Sequence, residues 1–307
     1  MKYLYGPVIS RRLGLSLGVD LIPLKTCSFN CVYCQLSSTA SCVTERKDYV
    51  SPEEVIDEFY KFNSENIQYD WITFSGSGEP TLNASLGYII QEIKKSASKK
   101  ICVITNSSLI SSGEVRQDLL DADLVMPSLD AVSPEIFQKI NRPFKGSDVE
   151  KIISGLIEFR KEFMGRIWLE IMFVKGINDN SAEIAKFSEA IKRIKPDKVH
   201  LNTVIRPPSE KNILPVDRYT LIKIADQLGD RADVIGNLPE VPQFEKGRLN
   251  AENLLGLLES HPATLEEIMN SFGATKFAAA KILEELVKLR KVEEKRFENK
   301  VYYVLKP

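Results

Sequence analysis

The sequence predicts an α/β fold, in which a parallel β-sheet is flanked by helices, followed by a smaller second unit. Six short apolar segments rich in β-forming residues recur up to residue 204, and amphipathic helical patterns lie between them. Near residues 237–249 this alternation stops, and a different pattern follows. We therefore predict a first domain over 1–236, a linker over 237–249 and a second domain over 250–307.

The six predicted strands are apolar nearly throughout, which is typical of parallel strands that are buried on both faces. In chain order they are LSLGVDL (15–21), WITFS (71–75), ICVIT (101–105), DLVMPSL (123–129), IWLEIMFV (167–174) and KVHLNTV (198–204). Six β-then-α units predict a parallel sheet that is either doubly wound or curled into a barrel.

The first predicted helix has a clear start signal. In SPEEVIDEFYKF, Ser51 is placed to cap the helix, Pro52 takes the first helical position and Glu54 completes a capping box. Four further helices are predicted from their apolar spacing, near 83–97, 112–121, 148–164 and 181–194.

The second domain follows a segment with two prolines and many polar residues, NLPEVPQFEKGRLN, which is typical of a linker. Three helices are predicted beyond it, the second from near Thr264 and the third from near Thr275, with Gly273 suited to the left-handed residue between them. The run KVEEKRFENKVYYVL predicts a hairpin that turns at 298–300. A helix–turn–helix followed by a hairpin is a winged-helix pattern.

Composition and charge exclude several classes of protein. The 307 residues, 43% of them apolar, can bury a large core. Because 41 Lys and Arg balance 42 Asp and Glu, no overall field favours nucleic acid or an anionic membrane. No apolar run is long enough to span a bilayer, and the first residues lack the apolar region of a signal peptide. Five cysteines, three of them crowded together, fit a reducing compartment, so we expect a cytoplasmic protein without membrane attachment.

Three cysteines are spaced Cys27-x-x-x-Cys31-x-x-Cys34 within TCSFNCVYCQ, close enough to face one metal centre. Taken alone, they are compatible with a zinc site completed by Cys42, with a redox centre or with buried free thiols. Structural zinc sites and ordinary iron–sulfur clusters usually take four protein ligands. A count of three favours a cluster with one coordination position left open, as in catalytic metal sites. Cys102 lies within a strand pattern and is predicted to be a small core residue.

This cysteine spacing, with an aromatic residue before the last cysteine and a predicted strand before the first, resembles the signature loop of the radical S-adenosylmethionine (radical SAM) superfamily. The resemblance implies a partial (β/α)6 barrel in which Cys27, Cys31 and Cys34 ligate one [4Fe-4S] cluster. It also implies that SAM chelates the fourth iron, with Tyr33 near the adenine. Reductive cleavage of SAM would yield a 5′-deoxyadenosyl radical that abstracts a substrate hydrogen, with electrons from a donor such as flavodoxin or ferredoxin.

The segment SGSGEPTL (75–82) follows the second predicted strand. Alone it predicts only a tight turn that carries one carboxylate. After the cysteine loop, it resembles the superfamily's GGEP motif, which binds the SAM amino group, with a serine in place of the first glycine. The resemblance assigns Gly76, Ser77, Gly78, Glu79 and Pro80 to SAM binding. In parallel β/α folds, ligand sites lie at the carboxyl ends of the strands.

Other polar residues also follow predicted strands. Asn106 follows the third, and Ser128 and Asp130 follow the fourth. In the superfamily, polar residues at the fourth strand often hydrogen-bond the ribose and carboxylate of SAM, whereas the same residue types are also common in turns and helix caps.

Four arginines are candidates for binding a carboxylate or a phosphate, because the guanidinium group suits both. They are Arg11, Arg12, Arg142 and Arg206. Each is equally compatible with an ordinary surface position or ion pair.

Two kinds of observation bear on the substrate. GEPTL, PSLDA and INRPF resemble the wyosine-type tRNA synthase branch, but those enzymes hold a second cluster on N-terminal cysteines, and residues 1–26 contain none. Over 250–307, nine Lys and Arg balance nine Glu, so the second domain has no basic footprint for nucleic acid. We therefore predict a radical SAM enzyme with a protein or peptide as the favoured substrate. A tRNA-modifying enzyme and a metal- or redox-sensing winged-helix regulator are the alternatives.

Overall fold

The computed structural model describes residues 1–36, 42–65, 67–236 and 249–306. Within these ranges the strands are β1 (Leu4–Ser10), β2 (Gly14–Val19), β3 (Trp71–Phe74), β4 (Lys100–Thr105), β5 (Leu124–Pro127), β6 (Arg166–Phe173), β7 (Lys198–Thr203), β8 (Ala232–Val234), β9 (Ala263–Thr264), β10 (Val292–Phe297) and β11 (Lys300–Leu305). The helices are α1 (Pro52–Ser64), α2 (Leu86–Ser96), α3 (Gly113–Leu119), α4 (Pro134–Ile140), α5 (Val149–Glu162), α6 (Ser181–Ile194), α7 (Arg218–Leu228), α8 (Ala251–Ser260), α9 (Leu265–Phe272) and α10 (Lys276–Lys288).

The first eight strands form one sheet in the order in which they occur along the chain. Strands β2 to β8 are parallel, and β1 pairs with β2 in the antiparallel direction. A doubly wound sheet would reverse its order at one point, and this sheet does not. A sequential order with right-handed crossovers places the helices on one face, as in an open barrel.

All six predicted strands are present, as β2 to β7, and so are the five predicted helices of the first domain, as α1, α2, α3, α5 and α6. The predicted N-cap of α1 is present, since the side chain of Ser51 accepts from the Glu54 backbone N–H. The predicted capping box is not formed, because the Glu54 carboxylate accepts from Lys2 and Tyr3 instead. Strands β1 and β8 and helices α4 and α7 were not predicted from the sequence. Strand β1 was missed because Gly6-Pro7 interrupts its pattern, and its register with β2 shifts between Tyr5 and Val8.

The two faces of the sheet are buried in different ways. Side chains such as Val103 and Val125 pack with the helices in the main core. Alternate residues of the same strands, including Cys102 and Leu124, face inward and form a small apolar cluster with Leu13 from the turn between β1 and β2. Leu13, only 5% exposed, therefore packs inside the barrel with residues from the start of β4 and β5.

Residues 249–306 form a unit with its own hydrophobic core, which includes Leu254, Ile268 and Leu283. Its helices are α8, α9 and α10, and its sheet has the order β10–β11–β9. The left-handed Gly273 ends α9, as predicted. The predicted hairpin is also present, with 298 and 299 forming its turn.

The second unit packs against the open edge of the large sheet. Val8 of β1 joins its core, and the Tyr302 hydroxyl donates to the Ile205 carbonyl oxygen at 2.7 Å. Most of the predicted linker, 237–248, lies outside the described residues. No described helix is both long enough and apolar enough to cross a membrane.

Because Leu13 fills the interior of the barrel, Leu13→Ala should lower the free energy of unfolding by about 3 kcal/mol, through lost burial and the cavity that remains. Chemical denaturation of the full chain measures this. The matched control is Leu214→Ala, since Leu214 is 51% exposed and should change stability by less than about 0.5 kcal/mol. Equal losses in the two variants would contradict the interior position of Leu13.

Candidate functional site

A pocket of about 340 Å³ lies where the loops after the strands converge. Nine of the residues predicted for the site line it, and they come from three separate loops, which follow β2, β3 and β5. They are Cys27, Cys31, Cys34, Tyr33, Gly76, Ser77, Gly78, Ser128 and Asp130. The parallel order of the strands therefore brings these loops together, as the sequence predicts.

The cysteine loop is held by its own apolar residues. Phe29 and Val32, 4% and 3% exposed, point into the core, and Phe29 packs edge-on against Phe137 of α4 at 5.4 Å. The backbone N–H of Val32 also donates to the Ile140 carbonyl oxygen at 2.9 Å. With these two side chains anchored in the core, the three cysteines between and beside them face the pocket.

Two amide side chains donate to the cysteine sulfurs. Nδ2 of Asn106 lies 3.4 Å from Sγ of Cys27, and Nδ2 of Asn141 lies 3.4 Å from Sγ of Cys31. Burial raises the pKa of the Cys27 thiol to about 12, and it also raises the pKa of Cys31 well above its ordinary value. A thiolate here therefore needs a nearby positive charge, and a metal ion supplies one.

The donor set fits the iron–sulfur cluster that the cysteine motif implies. Three thiols line one pocket, and amide donors of the kind that stabilise metal-bound sulfur accompany two of them. Among the described residues, no group of three or more His, Cys, Asp or Glu side chains surrounds a single ion position. A cluster needs no such arrangement, because each cysteine binds a separate iron.

The remaining two cysteines lie elsewhere. Cys42 has its Sγ 3.6 Å from the carbonyl oxygen of Arg142 and does not line the pocket. Cys102 is fully buried on β4, in agreement with its predicted place in the core.

The turn after β3 requires its glycines. Gly76 has φ of +149°, and a Cβ there would lie 2.3 Å from the carboxylate of Asp20. A Cβ on Gly78 would lie 2.0 Å from the carbonyl oxygen of Thr26. Backbone bonds join the two loops here, since the Lys25 N–H donates to the Ser77 carbonyl at 2.7 Å. The glycines therefore allow this turn to pack directly against the chain that leads to the cysteines.

Three predicted site residues do not line the pocket, namely Glu79, Pro80 and Asn106. Glu79 is only 2% exposed, and its carboxylate accepts from Thr81, Thr105 and the Asn106 backbone N–H. Pro80 is buried in the short 3₁₀ turn that follows. These side chains lie behind the pocket wall, and Asn106 reaches the site through its bond to Cys27.

Asp130 joins several parts of the site. Its carboxylate accepts from the Tyr33 hydroxyl, from Nδ2 of Asn141 at 2.8 Å and from the Met172 backbone N–H at 2.9 Å. Burial raises the pKa of Asp130, and these hydrogen bonds oppose that rise. Asp130 therefore fixes Tyr33, which lies between the second and third cysteines in sequence.

Three of the four candidate arginines line the pocket, and one does not. Arg11, Arg12 and Arg206 are lining residues. Arg142 instead forms a 2.6 Å ion pair with the partly exposed Glu210 and does not line the pocket. Arg12 is paired with Glu170 of β6.

Several residues of the site were not predicted from the sequence. Glu170, Asn202 and Lys25 line the pocket, and Asn141 bonds both a cysteine and Asp130. A charged or amide residue inside an otherwise apolar strand is a usable signal, and both IWLEIMFV and KVHLNTV contain one. No comparable local signal marks Asn141, which follows α4.

The buried Asp20, which accepts from the Ser77 backbone N–H at 2.8 Å, should give the protein a measurable pH dependence. Burial raises its pKa to about 6. The folded protein thus keeps a proton that the unfolded chain loses, so stability falls as pH rises from about 4 to 6. Relative to Asp20→Asn, the wild type should lose on the order of 2 kcal/mol of unfolding free energy over that interval. Chemical denaturation at several pH values measures this.

The exposed Asp226→Asn variant is the control, and its stability should follow that of the wild type at every pH. A constant difference between the wild type and Asp20→Asn would refute the raised pKa of Asp20.

Comparisons with known proteins agree with this architecture. A radical SAM methyltransferase from Sphaerobacter thermophilus superposes with a TM-score of 0.56 over 71% of this chain and 65% of that chain. Its sequence is 15% identical, so this likeness concerns the fold alone.

Two sequence relatives cover nearly the whole chain. UPF0026 protein MJ1312 of Methanocaldococcus jannaschii is 35% identical over 313 residues, which cover 99% of this chain and 96% of that protein. A Brachyspira hyodysenteriae protein named GTPase Obg is 40% identical over 296 residues, or 95% of this chain. The chain spans only 44% of that second protein's length.

The family model described as Radical SAM superfamily matches residues 21–188, which include the cysteine loop and the turn after β3. The chain therefore belongs to the radical SAM superfamily and, by its likeness to the archaeal protein over almost the full length of both, to the UPF0026 proteins.

Proposed function

We propose that this protein is a radical SAM enzyme in which Cys27, Cys31 and Cys34 hold one [4Fe-4S] cluster. The observation that carries the proposal is that the three thiols line one pocket with the glycine turn after β3. When bound, the cluster and SAM supply reductive cleavage of SAM to a 5′-deoxyadenosyl radical that removes a hydrogen atom from the substrate.

The cysteines would be oriented by groups that the structure already contains. Asn106 and Asn141 donate to two of the sulfurs, so they would stabilise the thiolate form and fix its direction. Asn141 is held in turn by its bond to Asp130. The role of Asn106 is therefore to support the metal site, and no direct contact with SAM is needed to explain its position.

SAM would bind between the glycine turn and Asp130. Gly76, Ser77 and Gly78 line one part of the pocket, and Ser128 lines another. An ammonium group needs acceptors, and backbone carbonyl oxygens in a glycine turn provide them without side chains. The Glu79 carboxylate already accepts hydrogen bonds from three residues. It would therefore act by holding the glycine turn in place.

The name of the Brachyspira relative does not describe this chain. A GTPase of the P-loop class carries the run G-x-x-x-x-G-K-[S/T], and the present sequence contains no Gly-Lys pair at all. The similar segment covers less than half of that protein.

Loss of one cluster ligand should abolish SAM cleavage. After anaerobic reconstitution and reduction, the wild type should form 5′-deoxyadenosine without added substrate, measured by chromatography, and Cys27→Ala should form none. Cys42→Ala is the matched control, because Cys42 lies outside the pocket, and it should retain activity. Undiminished formation of 5′-deoxyadenosine by Cys27→Ala would contradict the assignment of Cys27 as a cluster ligand.

For the substrate, we propose a protein or peptide that the second unit presents. Its order of helices and hairpin supports a winged-helix assignment. The exposed residues of α10 include Phe277, which is 80% exposed, and a mixture of lysines with Glu284 and Glu285. Mixed charge around an exposed aromatic residue favours contact with protein, because the carboxylates weaken the attraction of the lysines for a phosphate backbone.

Salt dependence separates this proposal from the tRNA alternative. Because α10 presents both signs of charge, binding of tRNA to the full chain should be weak and should change little with salt, as measured by filter binding. A fall in affinity on the order of a thousandfold between about 50 and 200 mM salt would indicate several phosphate contacts and would contradict a protein substrate.

A further inference from the structure

Part of the pocket is more cationic than the SAM-binding residues require. Four of its lining residues carry positive charge, and two carry carboxylates. The cations are Arg11, Arg12, Lys25 and Arg206, and the carboxylates are Asp130 and Glu170. The carboxylate of Asp130 already accepts three hydrogen bonds, and the carboxylate of Glu170 is paired with Arg12. The positive charge of the remaining cations is therefore only partly balanced within the pocket.

The positive charge of Arg11 is the least balanced by neighbouring carboxylates. Its Nη1 donates to the amide oxygen of Asn202 at 3.2 Å, and among the described residues it forms no ion pair. Burial, and then the charges of Arg12 and Arg206, lower its pKa to about 10. A guanidinium that is held in this environment would be stabilised by an anion beside it.

Arg12 and Arg206 also have unused hydrogen-bonding capacity. Nε of each is buried and has no hydrogen-bond partner among the described residues. A buried donor without an acceptor is costly, and a bound oxyanion would supply acceptors in the planar geometry that guanidinium groups favour. The unfilled donors and the unbalanced charge are separate observations, and both point to an anion.

We propose that Arg11 and Arg206 bind an anionic group of the substrate, a carboxylate or a phosphate, within the pocket that the cysteines line. The assignment of this anion to a substrate rests on the proposed radical SAM function. The anion site itself rests only on the arginines.

The second unit takes part in this site. Arg206 lies 3.3 Å from Glu267 of α9, and both side chains are 19% exposed. Glu267 thus competes with a bound anion for Arg206. Glu267→Gln would remove the competing charge, while glutamine still serves at this position of the capping box that starts α9.

The test is isothermal titration calorimetry of the full-length protein with two probes, inorganic phosphate and malonate, which separate a phosphate site from a carboxylate site. Arg11→Gln should weaken binding of the preferred probe by about tenfold, through loss of a charge-assisted hydrogen bond. Glu267→Gln should tighten it by a few fold, because Arg206 loses its competitor. Arg116→Gln is the control and should leave affinity unchanged, because this partly buried arginine pairs with Glu162 outside the pocket.

Three outcomes would overturn the proposal. One is wild-type protein that binds neither probe, and another is equal weakening by Arg11→Gln and Arg116→Gln. The third is displacement of the preferred probe by SAM. We expect the probe to stay bound to the reconstituted protein at saturating SAM. Displacement of the probe by SAM would mean that the arginines serve the SAM carboxylate instead of the substrate.

The proposed function can fail separately. If the reconstituted protein cleaves no SAM, but Arg11→Gln and Glu267→Gln still shift affinity in opposite directions, the anion site stands and only the enzymatic assignment falls. A general structural defect would not produce opposite shifts.

Discussion

The candidate site depends on one buried carboxylate, Glu79. Its oxygens accept from the backbone N–H and hydroxyl of Thr81, from the Thr105 hydroxyl at 2.6 Å and from the Asn106 N–H at 2.7 Å. Burial raises the pKa of this carboxyl group, and these hydrogen bonds oppose that rise. These bonds fasten the end of β3 to the end of β4, and they place Asn106, whose side chain donates to Cys27. The positions of the glycine turn and the first cysteine therefore follow from one buried carboxyl group.

Glu79 also shows how far the sequence alone could go. Its motif was recognisable, because a glycine turn with a carboxylate follows a strand in the right order after the cysteine loop. The six strands were predictable for a related reason, since burial on both faces makes each of them apolar throughout. The direction of the Glu79 side chain was not predictable, because spacing along the chain does not reveal which donors lie on the neighbouring strand. The Glu79 side chain lies behind the pocket wall, where it accepts from Thr81 and from the backbone of Asn106.

The cationic part of the pocket could not be predicted from local sequence patterns, for a different reason. It depends on β1, whose Gly-Pro pair conceals the strand, and on the turn that carries Arg11 into the barrel. Arg11 meets Asn202, a residue 191 positions away, only because the sheet curls enough to bring β1 and β7 near each other. Contacts between distant strands of a sheet leave no periodic signal in either segment. The apolar Leu13, two residues further on, gives this turn its anchor in the interior.

The second unit and the pocket share a segment of chain, and this has a thermodynamic consequence. Ile205 and Arg206 follow β7, and they are held from the other side by Tyr302 and Glu267. An anion that draws on the charge of Arg206 weakens its pairing with Glu267, so pocket occupancy and docking of the second unit oppose each other at this contact. Linkage requires that the effect be reciprocal, and a partner that draws α9 away from Arg206 would strengthen anion binding. A surface far from the cysteines can in this way favour binding in the pocket that they line, with no contact to the cysteines themselves.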